Sequence, residues 1–208
     1  MILDIIKAAI LGTVQGLTEF LPVSSTGHLI LAEDLLGVDQ DRYGLAFDAS
    51  LHMGTLLALL AYFGARWLRL ARAGIDALAR RSFADPEGRL AWLIVLATVP
   101  AGVLGLALES QIEDAFRSPW LVATMLIAFS AVFFIAEALG ERVRRIEGIA
   151  LLDAVIIGLA QAVALVPGVS RSGATISAGL LRGFERRDAA TFAFLLSAPI
   201  VAAAGVRG

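Results

Sequence analysis

Apolar residues run through this chain in long blocks, and the polar positions that interrupt them are of two kinds. Between Leu45 and Ala65, Leu90 and Leu108, Leu121 and Leu139, and Ala189 and Val206 the blocks are largely continuous. A hydrocarbon core of about 30 Å takes about 20 residues of helix, so each predicts a membrane span. Ile2 to Leu36 and Ile149 to Leu181 differ. Both are apolar enough for a membrane, but LPVSSTG (Leu21 to Gly27) and VPGVSRSG (Val166 to Gly173) break them midway with proline, glycine and hydroxyls. Proline removes a backbone donor, and irregular backbone survives at membrane depth only where protein or a wet cavity satisfies it. Both segments therefore predict a helix-turn-helix hairpin that re-enters the membrane.

The two breaks also resemble each other. An offset of 146 residues aligns Gly12 with Gly158, Gln15 with Gln161, Val23 with Val169, Ser24 with Ser170, Thr26 with Ser172, Gly27 with Gly173, Ile30 with Ile176 and Gly37 with Gly183. Paired interrupted segments in the two halves point to a midplane site between structural repeats. Loop charge orients them. Arg66, Arg69, Arg72, Arg80, Arg81 and Arg89, then Arg142, Arg144 and Arg145, then Arg182, Arg186 and Arg187 mark the cytoplasmic side under the positive-inside rule. Gly37 to Gly44 and the mostly acidic Glu109 to Pro119 then fall outside. The first hairpin opens from outside and the second from inside, which makes an inverted repeat, with repeat 1 over about 1–66 and repeat 2 over about 147–208 of a single domain. The arginines between Arg66 and Arg81 alternate with Trp67, Leu68, Leu70, Ile75 and Leu78, the pattern of an amphipathic interfacial helix.

Composition agrees with a membrane protein: 58% of the 208 residues are hydrophobic and the mean hydropathy is +0.80. Asp4 and Lys7, with no small-residue cleavage pattern, argue that the first segment is retained rather than cleaved as a signal peptide. The absence of cysteine removes thiolate chemistry and cysteine-type metal sites, and a net charge of -2 argues against a nucleic-acid partner. The fold class predicted is all-α: a polytopic membrane helical bundle with inverted repeats and two re-entrant hairpins.

Ionisable groups inside a membrane are costly and mark functional sites by default. Glu19, His28 and Arg171 fit best, with Asp48 and His52 behind them. Together they would gather a carboxylate, hydroxyls, an imidazole and a guanidinium, a set that suits a phosphate ester. Arginine binds phosphate oxygens in bidentate fashion, and the SRSG turn aims backbone N–H groups and a helix N-terminus at an anion. A carboxylate can hold a divalent cation or act as a base, and a serine beside a base can be a nucleophile. The same hydroxyls, Ser24, Ser25 and Thr26, could instead cap the following helix, an alternative that weighs as much as a ligand role for Ser24 and Thr26, and Gln161 is expected to be structural.

QGLTEFLPVSSTGHLIL (Gln15 to Leu31) and PGVSRSGATIS (Pro167 to Ser177) closely resemble the two signature motifs of the undecaprenyl-diphosphate phosphatase family, also called bacitracin resistance proteins. The resemblance extends through FDASLHMGTLLAL (Phe47 to Leu59). It implies a membrane phosphatase that hydrolyses undecaprenyl diphosphate to undecaprenyl phosphate and regenerates the cell-wall lipid carrier. It also implies a multi-pass protein of the bacterial inner membrane whose active site faces the periplasm. Its substrate would be a polyprenyl diphosphate lipid among membrane lipids, and a homo-oligomer is compatible. The family's functional positions fall on Gln15, Glu19, Ser25, His28, Ser170, Arg171 and Thr175, with Ser24, Thr26 and Ser172 beside them as substrate-binding hydroxyls. Gln15 stands where many members carry a second acid. The resemblance implies a divalent cation, Mg²⁺ or alternatively Ca²⁺, at Glu19. The motif leaves open whether Ser25 or His28 attacks phosphorus; Ser25 is favoured as nucleophile, His28 as acid or base and Arg171 as the diphosphate clamp. The chain ends at Gly208, where the family usually continues with further membrane helices, and is expected to be C-terminally truncated. A transporter or flippase of a polyprenyl phosphate is the alternative, because inverted repeats with broken helices also build transporters.

Overall fold

A computed structural model describes residues 2–38, 40–108 and 118–205. Among the described residues the regular elements are helical: α1 (Ile2–Thr18), α2 (Ser25–Leu36), α3 (Gln40–Tyr62), α4 (Gly64–Ala79), α5 (Pro86–Ala107), α6 (Pro119–Leu139), α7 (Leu151–Val163), α8 (Arg171–Leu181) and α9 (Arg186–Gly205), with a 3₁₀ turn at Ile146–Gly148. Residues 109–117 of the expected acidic loop lie outside the described residues, as do the side chains of Asp48 and of residues 40–44.

Local sequence explains where the helices begin. Asp85 and Ser118 accept hydrogen bonds from Gly88 N and Leu121 N, and each is followed by a proline at the first helical position, where its missing N–H costs nothing. α5 and α6 are long and apolar enough to cross a membrane. α3 and α9 run through the other two expected spans. Large apolar side chains cover much of the outer surface; Leu35, Trp120, Ile127 and Phe134 are each more than 70% exposed. Such a surface suits lipid rather than water. The chain is a helical membrane protein.

The interior is built on α5, which packs against α4, α7 and α9. Ala97 of α5 is fully buried, and Gly158 of α7 lies against its backbone: a Cβ at Gly158 would fall 2.5 Å from the Ala97 carbonyl oxygen. Gly158→Ala is therefore expected to force α5 and α7 apart and cost about 1–3 kcal/mol. Gly102→Ala, where a Cβ meets nothing within 4 Å, should be neutral or stabilising. Thermal unfolding in detergent compares the two, and equal midpoints would refute the close approach.

α1 and α2 form one helical hairpin and α7 and α8 another. The first is tied at its base by Lys7 Nζ, which donates to the Gly37 carbonyl at 2.9 Å. The second is tied by Asp153, at the start of α7, whose Oδ1 accepts from Arg182 Nε at 2.7 Å just beyond α8. Arg144 adds a bidentate pair to the same carboxylate, at 3.0 and 2.6 Å, and these hydrogen bonds raise its pKa above the ordinary arginine value. The 146-residue offset read in the sequence also carries the start of α2, Ser25, onto the start of α8, Arg171. Gly37 and Gly183 end the two second helices in the left-handed region, at φ 57° and 81°, the conformation glycine adopts without strain.

The turns of the hairpins meet. Ser172 Oγ donates to the Leu21 carbonyl at 2.7 Å, and the turn of the second hairpin packs so closely on α6 that a Cβ on Gly168 would lie 2.4 Å from the Val122 carbonyl oxygen. The basic segments collect at the base of the second hairpin: Arg89 donates to the Glu147 carbonyl, Arg144 to the Arg182 carbonyl and Arg186 to Glu137. The amphipathic stretch is α4, with Leu70, Gly74 and Ala77 on its buried face.

Candidate active site

Glu19 follows directly after the last turn of α1, where the approach to Pro22 ends the helix, and its carboxylate turns inward at 9% exposure. Burying a carboxylate is expensive unless its oxygens are bonded. Here both are. Oε2 accepts from Ser25 Oγ at 2.6 Å and from Gln15 Nε2 at 2.9 Å, while Oε1 accepts from Arg171 on the opposite hairpin. His52 Nε2, from α3, lies 3.7 Å from Oε2. The joint between the two turns is thus an ion pair between a buried carboxylate and a half-buried guanidinium, with three polar side chains around it.

A cavity of about 320 Å³ opens on this cluster. Its polar wall is Glu19, Ser24, Ser25, Thr26, His52, Gln161, Ser170 and Arg171, and alanine, leucine, valine and isoleucine side chains form the rest. α2 and α8 both begin at this wall, so two helix N-termini bring partial positive charge to it, alongside the Arg171 guanidinium. The cavity therefore has a cationic, donor-rich surface with one carboxylate, suited to a phosphate group attached to an apolar body. A larger cavity of about 830 Å³ lies at the basic end, lined by Arg66, Arg145 and Arg187, but it contains none of the residues expected at the site. Chemistry decides for the smaller one.

The expected residues separate into three groups. Gln15, Glu19, Ser25 and Arg171 are bonded into one cluster, and Ser24, Thr26 and Ser170 line the cavity beside it. Ser170 also caps α8, accepting from Gly173 N at 3.1 Å, whereas Ser24 makes no cap bond and sits at φ 64°, a backbone conformation unusual for a non-glycine residue. Ser172 and Thr175 are buried behind the wall: Ser172 holds the Leu21 carbonyl and faces Ser170 Oγ at 3.1 Å, and Thr175 bonds the Arg171 carbonyl at 2.8 Å. His28 is elsewhere. Its ring is exposed, Nδ1 lies 2.8 Å from the Ser24 carbonyl, and it is absent from the cavity wall.

Two members of the wall stand outside the residues assigned to the site from sequence: His52, which ranks behind Glu19, His28 and Arg171 as an intramembrane ionisable group, and Gln161, which is expected to be structural. His52 is 33 residues from Glu19, and only the packing of α3 on α1 brings it to the carboxylate. Gln161 lines the cavity although its neighbourhood reads as plain helix; the one signal for it is its alignment with Gln15 at the 146-residue offset.

For a divalent cation the donors are modest. Among the described residues no three histidine and acidic side chains cluster. The buried Gln15 Oε1, however, has no hydrogen-bond partner and sits one helical turn from Glu19. One carboxylate and one carboxamide oxygen fit a cation that draws its remaining ligands from substrate phosphates and water, the usual habit of Mg²⁺.

Comparison with known proteins adds the remaining observation. The profile of the family described as bacitracin resistance protein BacA matches residues 8–208. An undecaprenyl-diphosphatase of Rubrobacter xylanophilus is 54% identical over 204 residues, 98% of this chain and 75% of the relative. Proteins of the same name from Desulforudis audaxviator and Anaeromyxobacter dehalogenans are 48% and 50% identical, over 96% and 98% of this chain and 74% and 70% of theirs.

Proposed function

We infer the activity from one premise: the chain belongs to the bacitracin resistance protein BacA family. It is an undecaprenyl-diphosphatase, a membrane hydrolase that converts undecaprenyl diphosphate to undecaprenyl phosphate and inorganic phosphate and so recycles the lipid carrier. The observation that carries its chemistry is the contact chain from Ser25 through Glu19 to Arg171 at the wall of the cavity.

In this reading Ser25 is the nucleophile. Its hydroxyl already donates to Glu19 at 2.6 Å, so the carboxylate can accept the proton as Oγ attacks the terminal phosphorus. The Oγ–P bond forms, the bond from that phosphorus to the bridging oxygen breaks, and undecaprenyl phosphate leaves with the bridging oxygen. Water then attacks the phosphoserine. Glu19 returns its proton to Ser25 Oγ as that bond breaks, and the protons of the water pass to inorganic phosphate and solvent. Arg171 presents its planar fork to the phosphate oxygens, where growing charge is stabilised without reorganisation. His52 stands 3.7 Å from Oε2, the Glu19 oxygen that also accepts from Ser25. The acid–base role expected of His28 goes to Glu19, because the His28 ring is exposed and turned to a backbone carbonyl. Ser24, Thr26 and Ser170 offer hydroxyls to the diphosphate, while Ser172 and Thr175 hold the turn that carries Arg171. A Mg²⁺ or Ca²⁺ ion held by Glu19 and Gln15 would neutralise phosphate charge.

We also read the protein as a multi-pass protein of the bacterial inner membrane, with both hairpins re-entrant and related as inverted repeats. The base ties at Lys7 and Asp153, the common offset of the helix starts and the gathering of arginines at one end support this. With the basic end cytoplasmic, the first hairpin enters from the periplasm and the cavity is reached from that side.

Phosphate release from undecaprenyl diphosphate by detergent-solubilised protein tests the reading. Wild type should release phosphate and lose most of that activity in EDTA, and Ser25→Ala should lower the rate at least about 10³-fold. Wild-type turnover by Ser25→Ala would remove Ser25 from the chemistry. Lipid movement in vesicles without phosphate release would favour the transporter instead.

A further inference from the structure

Gln161 has a buried carboxamide with nothing to bond. It is 2% exposed, it lines the cavity, and among the described residues neither its Nε2 nor its Oε1 has a hydrogen-bond partner. A buried polar group in that condition costs stability, and a ligand that brings an acceptor into the cavity would remove that cost.

The relation between the hairpins indicates what that partner is. At the equivalent place in the first hairpin Gln15 donates Nε2 to the Glu19 carboxylate, four residues on, at 2.9 Å. The residue four after Gln161 is Leu165, which lines the same cavity. The second hairpin thus keeps the amide donor but supplies no carboxylate for it. The anion must come from elsewhere, and the same cavity is lined by Arg171, Ser24 and Ser170, the groups assigned to the diphosphate.

We propose that Gln161 is a substrate-binding residue, donating through Nε2 to a non-bridging oxygen of the bound diphosphate. The inference rests on the assignment of the cavity to the diphosphate. A neutral amide suits this role because it adds donors to an anion site that already holds one guanidinium, and it leaves the charge of the Glu19 and Arg171 pair unchanged. It touches the substrate and takes no part in moving a proton.

The test replaces the amide with an apolar side chain of similar length. Gln161→Met is expected to raise KM for undecaprenyl diphosphate about tenfold, the usual worth of a hydrogen bond to a charged group, with kcat changed less than about twofold. Competitive inhibition by methylenediphosphonate should weaken by a similar factor. The thermal midpoint should stay the same or rise, since the substitution removes an unpaired polar group. A structural amide would give the reverse, a lower midpoint with KM unchanged, and either a lowered midpoint or a wild-type KM overturns the proposal. Ser25→Ala and Arg171→Ala are run alongside. If they are inactive while Gln161→Met matches wild type, only the role of Gln161 falls; if they keep wild-type activity, the assignment of the cavity falls and takes this inference with it.

Discussion

Arg171→Ala is expected to lower kcat/KM for undecaprenyl diphosphate by about 10³-fold, the scale at which a donor aimed at developing phosphoryl charge works in a water-poor site. The variant loses two things together. It loses the fork presented to the phosphate oxygens, and it leaves Glu19, buried in an apolar protein, without its guanidinium partner. The second loss alone leaves a buried carboxylate without its charged donor, which frees it to move away from Ser25. Arg171→Lys separates the two effects. Lysine restores a positive charge beside Glu19 but offers a point charge in place of a planar fork, so partial recovery, still well below wild type, is expected. Steady-state phosphate release reads both variants. An Arg171→Ala protein with more than a tenth of the wild-type kcat/KM would show that the guanidinium serves only to join the hairpins.

The second large effect is on folding. Asp153 is 0% exposed and accepts four hydrogen bonds: two from Arg144, one from Arg182 and one from the Ala150 backbone. Asp153→Ala removes the acceptor common to all of them and leaves two arginines facing each other at the base of the second hairpin. Breaking a buried pair from one side costs about 3–5 kcal/mol. Both arginine side chains are about one-third exposed, so water can recover part of their solvation and the lower end of that range, about 3 kcal/mol, is expected. Asp153→Asn keeps the shape and one acceptor oxygen and should lose less. Unfolding in detergent measures both. Because Asp153 lies at the far end of the hairpin from the cavity, the folded fraction of Asp153→Ala should retain wild-type kcat; a wild-type midpoint would refute the tie.

Much of this is legible in the sequence. The breaks at LPVSSTG and VPGVSRSG, their common offset and the segregation of arginine are statements about covalent order and composition, and both hairpins and the basic end follow from them. What stays hidden depends on rotation about helix axes and on contacts between distant segments. His28 is three residues from Ser25, and proximity in sequence puts it in the site; on α2 its ring folds back to the Ser24 carbonyl and stays outside the cavity. His52 enters from α3 through packing that no local pattern encodes. The sequence favours His28 as the acid or base beside Ser25; the proposed mechanism gives that role to Glu19 instead, on the 2.6 Å contact that the fold makes between Ser25 and the carboxylate. Gln161 and Gln15 are indistinguishable as letters; only their partners separate them.

One contact between the two turns, beside the Glu19–Arg171 pair, is specified from one side only. Ser172 Oγ reaches the carbonyl of Leu21, a group that every residue type carries, while the Leu21 side chain is more than half exposed. Sequence drift at position 21 therefore leaves the acceptor in place, whereas position 172 must keep a short hydroxyl side chain. The outward side chain of the first turn can therefore change without removing this contact, whereas a change at position 172 removes it.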